Sequence, residues 1–372
     1  LTGWQIDAFC IQLYQDAFVS SILGRRSLDI PGDGEISEKA LRKRKSLLLN
    51  RVRLNLIWKN YSILDHFLFY KSGLRPVCYP RFLKRHADLL KGYDVVAAHS
   101  FVGGFIAREA QRRFGIPFYI SWHGSDIHTT PFKHPQIKDL TAELLRDAKI
   151  NCFVSRDLMD VSDRIGPGNK TVLYNGCDER FVRYPEDRRV ELRRELGVQG
   201  KKVVTFAGNL LSVKNPESLP GIFHEVHRLF HGDVEFWVVG DGRLRSTIET
   251  EINADSTLSC RFWGNMPPER MPEIFNCTDV LVLPSKNEGL GMVLVEAVRC
   301  GACAVASRVG GIPEVIGTEN TVPLDGNFTT CMADLTVKGL NGKLHRPSVD
   351  LFDWNLTAEK ERRLIDKMLS NG

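Results

Sequence analysis

No run in this 372-residue chain reaches the roughly 18 apolar residues that a bilayer-spanning helix requires. The sequence therefore offers no candidate for a membrane-spanning helix. Its nine cysteines are odd in number and scattered without a disulfide framework, which favours a reducing compartment, the cytoplasm. Cys300 and Cys303 make a CxxC, yet no second CxxC or nearby histidine completes a zinc site. Their setting beside Gly301 and Ala302 at a helix end reads as core packing, and no metal or other cofactor is expected. A dinucleotide fingerprint is missing too: after Gly240-Asp241-Gly242, Arg245 stands where the third glycine belongs, which argues against a nicotinamide oxidoreductase. Nor do the basic residues come with a nucleic-acid module or stacking aromatics, so nucleic acid is not an expected partner.

What is present is a chain long enough for two domains, with 43% hydrophobic residues to build two cores. Its net charge of +5 is concentrated. Arg25 to Lys59 holds ten basic residues against four acids (Asp29, Asp33, Glu35, Glu38), a local +6. From Lys39 to Lys59 no acid occurs. Leu41, Leu48, Val52 and Leu56 form one stripe at helical spacing, with Leu47, Leu54 and Trp58 nearly opposite. The 39–59 segment reads either as a core helix with a solvated basic rim or as a helix meeting an anionic membrane surface, at its inner face.

From Lys201 onward the chain alternates. Val203 to Ala207, Val234 to Val239, Cys260 to Trp263, Val280 to Leu283 and Ala302 to Ala306 read as strands, with helix-like segments between most of them. That pattern predicts a doubly wound α/β domain. Ligands of such sheets bind beyond the carboxyl ends of the strands, where Gly208, Gly240, Gly242, the Glu288 loop and Gly310-Gly311 would gather. Within EGLGMVLVEAVRCG, Gly289 and Gly291 let the backbone turn sharply around Leu290, and Met292 to Arg299 reads as a helix. The helix start favours phosphate. Glu288, in the loop, and Glu296, inside the helix, suit vicinal diols of ribose or hexose. The plainer alternative is a strand-loop-helix with two solvated glutamates. Lys214, shortly after the first of these strands, would supply a cation for a diphosphate.

These residues carry a resemblance. FAGNLLSVKN, FWVVGDGRLRSTIE, EGLGMVLVEA and ASRVGGIPEVI resemble the retaining glycosyltransferases of family 4, which have the GT-B fold. SWHGSDIH from Ser121 and VLYNGCDERF from Val172 are similar to that family's first-domain and hinge segments. The resemblance implies α/β architecture, with two Rossmann-like domains facing across a cleft. An acceptor-side domain would span 1–183 and a donor-binding domain 184–372, parted near Pro185, with a closing helix from Asp353 to Met368 that crosses back onto the first domain. Gln5 to Ile11 is similar to a second strand of the first domain, with the first strand and its glycine-rich turn expected earlier.

The resemblance also implies roles. Glu296 would bind ribose and Glu288 the transferred sugar, with His123 close to the reacting sugar and Asp126 a structural cap. Lys214 and Glu288 join His123 as the catalytic set. Gly208, Asn209, Gly240, Gly242, Gly289, Leu290, Gly291 and Met292 complete the donor-binding set. The expected donor is a nucleotide sugar, and the acceptor a glycan or lipid-linked glycan of surface polysaccharide synthesis. One position departs from the pattern: Asn209 stands where many members have arginine, and asparagine brings no charge. Lys214 then becomes the principal cation, with Arg243 or Arg245 as compensating candidates. An inactive sugar-nucleotide-binding relative is the competing reading.

Overall fold

The computed structural model describes residues 6–13, 27–30, 34–37, 46–49, 52–59, 79–133 and 135–370. In the second half, six strands lie in one wholly parallel sheet: β10 (Lys202–Ala207), β11 (Val234–Val239), β12 (Cys260–Gly264), β13 (Val280–Leu283), β14 (Cys303–Ser307) and β15 (Thr321–Val322). Their spatial order is β12-β11-β10-β13-β14-β15. Buried parallel strands need apolar residues on both faces, and Val280-Leu281-Val282-Leu283 is entirely buried. The strand order reverses between β10 and β13. The loops after those two strands therefore part to opposite sides and open a crevice at their carboxyl ends.

The first half holds β6 (Val96–His99), β7 (Phe118–Trp122), β8 (Ile150–Phe153) and β9 (Lys170–Val172) in a second parallel sheet. Ahead of it, β1 (Asp7–Leu13) pairs in parallel with β5 (Val52–Lys59), which pairs antiparallel with β4 (Ser46–Leu49); β2 (Ser27–Ile30) and β3 (Gly34–Ser37) form a separate hairpin. Tyr93, just before β6, donates to Asp7 Oδ2 at 2.6 Å.

The basic segment corrects the helix expected of it. Ser46–Leu49 and Val52–Lys59 are paired strands, with Leu49 opposite Val52. The decisive pattern is Val52-Arg53-Leu54-Asn55-Leu56, which alternates with period two. The leucines also fall at helical spacings, and that coincidence conceals the strand. Residues 39–45, 50 and 51 lie outside the described residues.

The helix Trp354–Ser370 returns from the second half to the first sheet, where Ile365 and Met368 pack with Tyr119, Ile150, Cys152 and Leu173. The crossing is tied down by hydrogen bonds: Cys177 N–H donates to Phe352 O at 2.8 Å, and Thr357 Oγ1 donates to Tyr174 O at 2.9 Å. Among the described residues no helix is long and apolar enough to cross a membrane.

Candidate functional site

The crevice of the second sheet is made first of backbone. A Cβ built on Gly240 (φ +123°) would lie 2.0 Å from Gly208 O, and one on Gly242 would lie 2.4 Å from Leu210 O. Across the strand reversal, a Cβ on Gly310 (φ +54°) would lie 1.9 Å from Glu288 O. Real side chains do not fit such gaps. The turns stack directly on one another, and only glycine allows it. Gly291 (φ +88°) then caps the helix Met292–Arg299, which presents its unpaired N–H groups to the crevice.

Lys214 and Glu288 meet over the strand reversal. Lys214 Nζ lies 2.5 Å from Glu288 Oε1, and Ser285 Oγ donates to the same oxygen at 2.7 Å. The lysine comes from the loop after β10 and the glutamate from the loop after β13, so the pair bridges the two sides of the crevice. Asn209 is exposed at its rim, Leu290 is buried, and Met292 lines the adjoining cavity. Of the two compensating arginines, Arg245 is held by Asp241 at 3.3 Å and Glu249 at 3.4 Å, while Arg243 is exposed.

Glu296 points into a cavity of about 580 Å³ between the two halves, which His99, His123, Asp178 and Glu361 also line. Burial pushes its carboxyl up to about 7, and the nearby Asp178 adds to the effect. Ionising Glu296 here therefore carries a cost.

His123 follows β7 and reaches the cleft from the first domain. Its backbone N–H donates to Asp126, which also accepts from Gly124 N–H at 2.8 Å and Ser100 Oγ at 2.8 Å. Asp126 therefore caps the turn. A Cβ on Gly289 would lie 2.1 Å from the His123 carbonyl oxygen. His123 and the Glu288 loop accordingly face each other with no side chain between them.

Several residues escaped the sequence reading. His99, at the end of β6, places Nδ1 2.9 Å from His123 Nε2. Glu361, on the closing helix, accepts from Tyr119 OH at 2.5 Å. Glu314 sits on Ile312–Ile316 of the second domain but accepts from Arg156 N–H at 3.0 Å, Asp157 N–H at 3.1 Å and Tyr174 OH at 2.8 Å in the first. His99 had only its place at a strand end to mark it, and Glu361 lies in an ordinary charged helix. Asp178 and Glu314 stood inside quoted motifs without a role. Among the described residues, no group of three or more His, Cys, Asp or Glu could hold a metal ion. Cys300 and Cys303 are buried, free thiols.

Comparison with known proteins gives this geometry a family. Residues 188–330 match the model of glycosyl transferases group 1, and residues 50–181 match that of Glycosyltransferase Family 4. A D-inositol 3-phosphate glycosyltransferase of Corynebacterium diphtheriae is 30% identical over 298 residues, 72% of this chain and 69% of that protein. An N-acetyl-alpha-D-glucosaminyl L-malate synthase of Bacillus anthracis is 30% identical over 230 residues, 60% of this chain but only 58% of its relative's length. HepE of Anabaena, solved in complex with UDP and glucose, superposes with a TM-score of 0.62 at 17% identity, over 85% of this chain and 87% of that one. With that identity held over two thirds of an inositol-phosphate relative, and that fold shared, the chain belongs to the family 4, group 1 glycosyltransferases of GT-B fold.

Proposed function

We propose that the protein is a retaining glycosyltransferase that moves a hexose-type sugar from a nucleoside diphosphate to a hydroxyl of a glycan or lipid-linked acceptor. The observation that carries this is the convergence of Lys214, Glu288 and the start of helix Met292–Arg299 at the strand reversal, with His123 facing them. A diphosphate there meets unpaired helix N–H groups and the lysine ammonium, which together offset charge as the sugar departs. Glu288 is held by Lys214 and Ser285 through Oε1 and presents a carboxylate to sugar hydroxyls. Glu296 takes the ribose diol. No step calls on a metal ion.

Asn209 leaves Lys214 as the principal cation. The competing reading, an inactive binder, expects that cation lost; the pairing of Lys214 with Glu288 supports the catalytic reading instead. Acceptor identity does not carry over from the relatives, whose names specify malate and inositol phosphate. A role in surface polysaccharide synthesis at the inner membrane face rests on family analogy and on the charge of segment 39–59. That segment no longer has an amphipathic helix to support membrane contact.

Calorimetric titration with UDP, GDP and ADP tests the reading. One diphosphate should bind, Glu296→Ala should weaken it about tenfold or more, and Lys214→Ala should cost roughly 100- to 1,000-fold in kcat. Absence of binding to all three in a folded chain would sink it, as would full activity in Lys214→Ala.

A further inference from the structure

His99 lines the same cavity as His123 and Glu296 but has no role in the reading above, and its ring meets that of His123 directly. The two rings lie nearly parallel, with an interplanar angle of 16° and centroids 5.2 Å apart, and His99 Nδ1 is 2.9 Å from His123 Nε2. A hydrogen bond between two ring nitrogens needs one that carries hydrogen and one that does not. The bridge therefore survives one protonation of the pair and not two. In the doubly charged pair, two N–H groups would point at each other.

The placement of His99 is held in turn. Ser100, the next residue, has φ +56°, one of two non-glycine residues with positive φ among the described residues. That strained backbone is secured by Ser100 Oγ donating to Asp126 Oδ2 at 2.8 Å. The same carboxylate accepts from His123 N–H. One buried aspartate thus anchors both strand ends from which the two imidazoles project.

We propose that His99 is a positioning residue for His123, gripping its Nε2 so that Nδ1 of His123 is directed to the transferred sugar, with a single proton in the bridge. This rests on the reading of the cleft as the donor site. The titratable groups around the pair are Glu361 from the closing helix, Asp178 from the segment after β9, Glu296 from helix Met292–Arg299 and the thiols of Cys152 and Cys177, with Asp126 on the His123 N–H. Solvent reaches the His99 ring through the cleft, but the protein mass around it and the neighbouring His123 hold its pKa below the usual histidine value, against the pull of Glu361. The bridge accordingly persists through neutral pH and opens on the acid side, as a property of the pair.

The test combines ring-nitrogen NMR on histidine-labelled protein with turnover of UDP-glucose, GDP-mannose and ADP-glucose as donor probes. His123 signals are those missing from His123→Ala. In the native chain they should show one tautomer at neutral pH, and in His99→Ala a mixture of both. Turnover in His99→Ala should fall about tenfold in kcat with little change in the donor KM, because the cost is misdirection of a bound group. His99→Gln, whose amide bridges at any pH, should restore most of that loss and extend the acid limb of the profile to lower pH. Should His99→Ala not fold, His99→Gln and His99→Asn carry the test. A His123 tautomer and pH profile unchanged in these variants would overturn the proposal. Failure of the native chain to turn over every donor would instead sink the reading of the cleft, and the NMR result would still decide whether the bridge exists.

Discussion

The two walls of the cleft are built from different materials. The wall formed by the second sheet is framed by backbone: Gly240 packs on the Gly208 carbonyl, Gly242 on that of Leu210 and Gly310 on that of Glu288, and Lys214, Glu288 and Glu296 are set into that frame. The facing wall is side chain: His99 bonds His123, Asp126 accepts from Ser100 Oγ and the His123 N–H, and Glu361 on the closing helix accepts from Tyr119 OH. A backbone-built wall is rigid and intolerant of any added atom. A side-chain-built wall can be retuned one residue at a time.

The sharpest break of that comparison is Gly310→Ala. Its Cβ would collide with Glu288 O at 1.9 Å, and φ +54° disfavours any L-residue. Backbone on both sides has to move, so the expected loss is on the order of 4 kcal/mol, with nucleotide binding abolished. Gly197 is the control: φ is +71° but nothing lies within 4 Å of a built Cβ. Gly197→Ala should cost only about 1 kcal/mol. Chemical denaturation of the two variants decides the matter, and equal losses would mean that left-handed strain, not close approach, governs the crevice.

The same contrast explains what the sequence disclosed. Glycines after buried strands have positional meaning, so the crevice, the Glu288 loop and the helix at Met292 were legible, and β11 and β13 fell where their apolar runs ended. His99 was illegible because its meaning is a 2.9 Å contact with a residue 24 positions away. Glu314 was hidden for the same reason, its partners lying about 140 to 158 positions away. Val52–Lys59 was misread because its leucines satisfy helical and strand spacing together, and what selects the strand is pairing with β1 and β4.

Glu296 lines the cavity between the two walls, and its titration sharpens the comparison next. Its folded pKa of about 7 lies above the unfolded value near 4.5. Below the lower value the group is neutral in both states and costs nothing. As pH rises through this window the unfolded chain ionises first, so stability falls, by roughly 3 kcal/mol, and levels off above about 7. Glu296→Gln should remove that slope, matching the native chain at pH 4.5 and exceeding its stability at pH 8, while binding nucleotide less well. Denaturant midpoints across pH check it, and parallel curves for the two proteins would rule out Glu296 as the source.

The smallest effect concerns how the two walls are held together. Helix Arg156–Asp163 caps one of its own N–H groups through Ser155 Oγ, which accepts from Leu158 N–H at 3.1 Å. Two more, those of Arg156 and Asp157, are capped by Glu314 of the other domain, which also holds Tyr174 OH. A carboxylate at a helix N-terminus gains from the dipole as well as from its bonds. Nearby, Gly311 would place a Cβ 2.7 Å from that of Ser155, so the seam is close as well as polar. Glu314→Ala should therefore loosen the cleft at a cost of about 1 to 2 kcal/mol, with Glu314→Gln losing roughly half as much because one acceptor oxygen remains. In solution scattering the alanine variant should show a larger radius of gyration, and saturating nucleotide should bring it back. A native radius in Glu314→Ala would mean that the glycine contacts and the crossing helix Trp354–Ser370 keep the walls together without the polar seam.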